Sequence, residues 1–176
     1  MVKLQQMLDN WDKAEKSVFR LESIPEYNIP GDIELFEKWK KGKLKINKND
    51  SWFNRLRNTK EKGISMQRVR IVPLPILDYI KYEMEFWKIS RECGEVFLFL
   101  EESKYDQIKE GLNFNPEDFW MFDDKNLVIF HYDETENLVS EEVVEDENII
   151  NDYVALEKEL VKEAIPMKEF LKNKMS

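Results

Sequence analysis

Residues Ile64 to Val72 have the two-residue period of a strand, and Ile76 to Ser90 have the 3.6-residue period of a helix, with Pro73 and Pro75 between them. On the strand, Ile64, Met66, Arg68, Arg70 and Val72 point one way and Ser65, Gln67, Val69 and Ile71 the other. On the helix, Leu77, Ile80, Met84 and Trp87 form an apolar stripe, with Tyr79, Glu83 and Phe86 on the next one. A strand that feeds directly into an amphipathic helix restricts the chain to folds that mix a sheet with helices.

The flanking sequence extends that pattern. Leu4, Met7, Leu8 and Trp11 recur at helical spacing, which predicts an N-terminal helical extension over residues 1–16. The stretch from Ser17 to Gly31 loses the period, and Pro25, Pro30 and Gly31 mark it as a connection. Asp32 can cap a helix carrying Leu35, Phe36 and Trp39, which Gly42 closes; Ser51 can cap another carrying Trp52 and Leu56, which Gly63 stops. After Gly94, EVFLFLEE reads as a central strand and SKYDQIKEG as a short helix. DFWMFDD, NLVIFHY and LVSEEVVE follow as three short strands joined by turns. Ile149, Ile150, Tyr153, Leu156 and Leu160 define a closing helix, and Pro166 separates it from a C-terminal tail, 167–176. The expectation is a single α+β domain over 1–176, with a small, mainly antiparallel sheet packed against several helices.

Several function classes are disfavoured at this level. No apolar run approaches the roughly 20 residues of a membrane span, and the charges in MVKLQQMLDNWDKAEK do not suit a secretory signal. Cys93 is the single cysteine, so no intramolecular disulfide can form and a reducing, cytoplasmic setting is expected. Charge is divided unevenly. Residues 1–70 carry 16 Lys or Arg against 10 Asp or Glu, and residues 71–176 carry 11 against 26. The acidic part repels nucleic acid, whereas Lys38, Lys40, Lys41, Lys43, Lys45 and Lys48 could touch phosphates beside Trp39 or Trp52, with Lys41, Lys43 and Lys45 as the candidate contacts. A solvated basic face is the simpler reading of that run.

The polar candidates cluster near the strand-to-helix transition. Arg68 and Arg70 share a strand face and could hold a phosphate or carboxylate, or be satisfied by internal carboxylates. Asp78, Tyr79 and Glu83 follow, with Tyr79 and Glu83 adjacent on the helix surface. Asp118, Asp123 and Asp124 surround Phe119, Trp120 and Phe122; with Glu83 or Glu95 they could hold magnesium or act as acid and base, although Asp123-Asp124-Lys125-Asn126 also has turn chemistry. His131 is the single histidine, without metal-ligand spacing, and suits a hydrogen-bonded core or rim position. No cofactor or resident metal is expected.

The phrases FRLE at Phe19–Glu22 with Tyr27, the Trp52 and Arg55 region, GISMQRVRIV, PILDY with Glu83, Gly94-Glu95, DFWMFDD and IFHYD occur in one order over about residues 17–165. In that order they resemble a bacterial and archaeal family called domain of unknown function 6879. The resemblance singles out Arg68, Arg70, Asp78, Tyr79, Glu83, Glu95, Asp118, Trp120, Phe122, Asp123 and His131 as functional or architectural positions. It carries no established reaction; the family's frequent neighbourhood to helix-turn-helix regulators implies a regulatory role. The leading expectation is therefore a regulatory or adaptor protein that binds another macromolecule, most readily a protein. A magnesium-assisted phosphoryl-transfer or phosphodiester-hydrolysing enzyme and a nucleic-acid-binding regulator are the alternatives.

Overall fold

The computed structural model describes residues 4–174; residues 1–3 and 175–176, parts of the expected extension and tail, lie outside the described residues. Its frame is a seven-stranded sheet in the order β6-β5-β4-β1-β2-β3-β7. The strands are β1 (Ser17–Glu22), β2 (Ser65–Val72), β3 (Glu95–Glu101), β4 (Phe119–Phe122), β5 (Asn126–Tyr132), β6 (Leu138–Val144) and the two-residue β7 (Ile165–Pro166). The helices are α1 (Gln5–Lys13), α2 (Pro30–Lys40), α3 (Ser51–Glu61), α4 (Asp78–Glu92), α5 (Glu102–Glu110), α6 (Glu147–Glu163) and α7 (Met167–Lys174). Among the described residues, no helix is long and apolar enough to cross a membrane.

Helices and strands do combine as α+β, but the sheet is neither small nor mainly antiparallel. Its centre, β1-β2-β3, is parallel, and antiparallel pairs flank it on both sides. Parallel direction follows from the connections. The chain returns through α2 and α3 between β1 and β2, and through α4 between β2 and β3, so each next strand starts at the same end. The segment expected as a connection contains β1 itself. Its apolar rhythm is hidden because Arg20 and Glu22 occupy an inward face, and Pro25 follows within three residues.

Helices cover both faces of the sheet, so apolar residues of the central strands are buried on each. Phe19, Leu21, Val69, Ile71, Phe119 and Met121 pack under Tyr105 of α5 and Tyr153, Leu156 and Leu160 of α6. On the opposite face Val18, Met66, Trp120 and Phe122 meet Met7 and Trp11 of α1, Phe53 and Leu56 of α3 and Ile89 of α4. Further along that face, Val72, Phe97 and Phe99 meet Ile80 and Trp87 of α4 and Phe170 of α7.

Two helix starts differ from expectation. Asp50, not Ser51, caps α3, its side chain accepting from the Trp52 amide at 2.9 Å. Asp32 lies inside the first turn of α2, whose cap position is Ile29, and its carboxylate is engaged elsewhere. The stop at Gly63 behaves as its sequence implies: it takes a φ of +76°, and its amide and that of Ile64 close on the Lys60 and Thr59 carbonyls.

Candidate functional site

The face of the sheet turned toward α1, α3 and α4 is not wholly apolar. Alternation along β1 puts Arg20 and Glu22 on it, and alternation along β2 adds Arg68 and Arg70. Parallel pairing sets Arg20 beside Arg68 and Glu22 beside Arg70. Like charges side by side repel, so the arrangement requires carboxylates between them.

Those carboxylates come from three elements. Glu22 Oε1 accepts from Arg20 Nη2 and from Arg68 Nη1, each at 2.8 Å. Glu95, at the start of β3, takes Arg68 Nε at 2.9 Å and Nη2 at 2.8 Å through its Oε1. Arg70 donates to Glu83 of α4 at 3.1 Å, to the Ile24 carbonyl at 2.6 Å and to the Pro25 carbonyl at 3.1 Å. The guanidiniums also lie over rings: Arg20 is 4.8 Å from the Trp120 centroid, Arg68 5.1 Å from Phe97 and Arg70 5.3 Å from Tyr27. Arg70 is 0% exposed and Arg68 5%, so neither presents an unoccupied fork at the surface.

Two further carboxyls stand at the edges of this lattice and are held by neutral donors. Asp118, just before β4, accepts from the Ser23 amide at 2.7 Å, the Ser23 hydroxyl at 2.6 Å and the Tyr27 hydroxyl. Asp32 of α2 accepts from the Tyr79 and Tyr82 hydroxyls at 3.3 and 3.4 Å. Above the lattice is a cleft of about 320 Å³ lined by Arg20, Glu22, Asp32 and Glu83, with Trp52 and Tyr82 among its walls.

Electrostatics separate the carboxyls. Burial works against ionising Glu22, but the guanidiniums of Arg20, Arg68 and Arg70 overcome it and hold its pKa at about 2. For Glu83 burial prevails over Arg70, assisted by the charge of Glu22, and the pKa rises to about 7. Burial likewise raises Glu95, Asp118 and Asp32 despite their donors. Both buried arginines bind their protons more tightly than usual because the carboxylates outweigh desolvation.

The residues singled out from sequence divide accordingly. Arg68, Arg70, Glu83 and Glu95 join one lattice, Trp120 lies beneath Arg20, Asp118 reaches it through Tyr27, and Tyr79 donates to Asp32 at the cleft. Asp78 is exposed and pairs with Lys81 at 2.8 Å. Asp123, at the β4–β5 hairpin tip, accepts from the amides of Glu15, Lys16 and Ser17 at 2.7 to 2.9 Å, which draws its pKa down. His131 follows Leu127 and Ile129 on the opposite face, between Glu117 at 3.0 Å and Glu142 at 2.8 Å, and these carboxylates raise its pKa against partial burial. Lys41, Lys43 and Lys45 lie exposed after α2, and none of them lines the cleft; Lys38 and Lys48 of the same run pair with Glu34 at 2.6 Å and Glu92 at 3.3 Å.

Arg20, Glu22, Ser23, Tyr27, Asp32 and Tyr82 are contributors that sequence reasoning did not select as site residues. FRLE contains the signal for the first two, since Arg20 and Glu22 are two apart and share a face once the segment is a strand. Among the described residues, no three His, Cys, Asp or Glu side chains are grouped so as to hold a metal ion. The lattice carboxylates face guanidiniums instead.

No curated protein matches the sequence. A family model described as Domain of unknown function (DUF6879) matches residues 5–172, from the first residue of α1 to within α7. The match takes in every strand and every lattice residue, and the chain belongs to that family.

Proposed function

We propose that this is a non-catalytic, cytoplasmic binding protein of the regulatory or adaptor kind, which takes hold of a protein partner at the cleft between the sheet face and α2, α3 and α4. The observation that carries this reading is the cleft's construction. Its floor is a charge lattice in which each guanidinium is already paired with a carboxylate, and Tyr27, Trp52, Tyr82 and Phe86 are among its walls, so the surface is organised before any partner arrives. The lone, buried Cys93 agrees with a reducing compartment.

The same construction weighs against phosphoryl transfer. Arg68 is paired with Glu22 and Glu95, Arg70 with Glu83 and, most closely, the Ile24 and Pro25 carbonyls, and His131 lies across the sheet from them. A phosphate would have to displace those partners, which costs several kcal/mol for a buried pair, about 3 to 5. The partner's contact falls instead to groups at the cleft mouth, where Asp32 is half-buried and accessible.

A native pull-down with the full chain, followed by mass spectrometry, tests this reading. Wild type should retain a partner that the Asp32→Lys variant loses while its circular dichroism is unchanged, because the lysine fills the mouth. Equal recovery with both chains, or no specific recovery with either, would overturn it.

A further inference from the structure

The lattice and its cleft contain five carboxyl groups, of Glu22, Asp32, Glu83, Glu95 and Asp118, but three guanidiniums, of Arg20, Arg68 and Arg70. Each guanidinium already has a carboxylate, and Asp32 and Asp118 are left with hydroxyl and amide donors, which neutralise no charge. A buried excess of negative charge is costly unless protons or a cation relieve it.

Protons relieve part of it, as the raised acids indicate. Two geometric facts point to something more in the cleft. Glu22 lines it, and among the described residues its buried Oε2 has no hydrogen-bond partner although Oε1 has two. Asp32 also lines it, and the tyrosine hydroxyls stand 3.3 and 3.4 Å from its oxygens, beyond the usual O–H···O range of about 2.5 to 3.0 Å. Acceptor capacity is therefore unused on Glu22 and loosely filled on Asp32, two residues that line one cavity. Its other walls include Tyr27, Trp52, Tyr82 and Phe86, whose ring faces attract positive charge.

We infer that the cleft binds a small organic cation, a guanidinium or primary ammonium group, with its charge directed at Asp32, Glu22 and Glu83 and its carbon stem against the aromatic walls. The volume of about 320 Å³ suits a group of side-chain size. Such a cation can arrive as a free amine or as an arginine or lysine of a partner polypeptide, and the chemistry of recognition is the same. Arg20, which also lines the cleft, does not cancel the attraction, because its guanidinium is held against Glu22 Oε1 and over Trp120. This inference rests on the cleft being the binding site proposed above, and names what enters it.

Binding should depend on pH through Glu83. Arg70 and Arg68 face it from β2, Glu22 from β1 and Tyr79 and Tyr82 from its own helix, while Asp32 of α2 lines the same cleft. A protonated Glu83 attracts a cation less, so affinity should rise as pH rises through about 7.

Titration of the full chain with n-butylguanidinium and n-butylammonium, followed by calorimetry and by Trp52 emission, tests the inference. Both cations should bind saturably at about pH 8 and at least about tenfold more weakly at about pH 5.5, as expected for loss of one charged hydrogen-bond acceptor. Asp32→Asn and Glu83→Gln, each with circular dichroism confirming the fold, should weaken binding by a similar factor, and Asp78→Asn should not. Tighter binding of an arginine-containing tripeptide than of n-butylguanidinium assigns the cation to a polypeptide; equal binding assigns it to a free amine. Absence of saturable binding of either cation to folded wild type, or equal binding of n-butyrate or inorganic phosphate, would overturn the inference. Should the cations fail while Asp32→Lys still abolishes partner recovery, the binding protein remains and its cationic ligand does not.

Discussion

Glu22 and Glu83 share the neighbourhood of Arg70, yet one holds its charge far into acid and the other gives it up near neutrality. The difference lies in the number of guanidiniums each can reach. Arg20, Arg68 and Arg70 all act on Glu22, whereas Glu83 depends chiefly on Arg70 and also feels the charge of Glu22. Stability follows with opposite signs. Glu22 contributes above its ordinary pKa of 4.5 and that contribution, roughly 3 kcal/mol, is lost as pH falls toward about 2. Glu83 contributes below 4.5 and its share is lost as pH rises to about 7. Urea unfolding of Glu22→Gln at about pH 6 should show a loss of about 3 to 5 kcal/mol, because Arg20 and Arg68 lose a shared partner in the core. Glu83→Gln should flatten the stability curve between pH 4.5 and about 7.

The elements differ in how openly the sequence declares them. Helices α3, α4 and α6 have apolar stripes and clear stops, and they occur where those signals place them. Strand β1 has no such stripe, because two of its six residues are charged and still point inward. Alternation alone put Arg68 and Arg70 on a common face, but their partners Glu95, Glu22 and Glu83 are 27, 46 and 13 residues away in sequence, and nothing local says they meet. The β4–β5 hairpin shows a third case. Its Asp-Asp tip reads as a turn, yet Asp123 also fastens the entry to β1 through three amides while its own φ is +56°. Asp123→Ala loses those bonds and keeps the unfavourable φ, so it should lower the urea midpoint by the equivalent of about 2 to 4 kcal/mol. Asp123→Gly should cost about 1 kcal/mol less, and neither should change cation binding.

For the molecule as a whole, α1 contributes to the fold rather than standing beside it. Met7 and Trp11 are 1% and 3% exposed, Trp11 donates its indole N–H to Thr59 at 2.9 Å, and Glu141 of β6 accepts from the Gln6 and Met7 amides at 3.1 Å. A chain beginning after residue 13 loses this burial, and chemical denaturation should show it about 3 to 6 kcal/mol less stable. Direction within the sheet was the least legible property, since α2 and α3 return the chain for a parallel partner while the hairpin turn after β4 reverses it, and strand residues alone do not distinguish the two.

The ion-pair lattice also acts as a check on assembly. A strand slipped by two residues keeps every apolar side chain on its proper face, so hydrophobic burial barely distinguishes the slipped sheet from the native one. Charge does distinguish them: a two-residue slip of β2 carries Arg70 away from the Ile24 and Pro25 carbonyls and Arg68 away from Glu95. The core arginines thereby spell out which rung of β1 and β3 belongs to which rung of β2, information that a purely greasy sheet would lack.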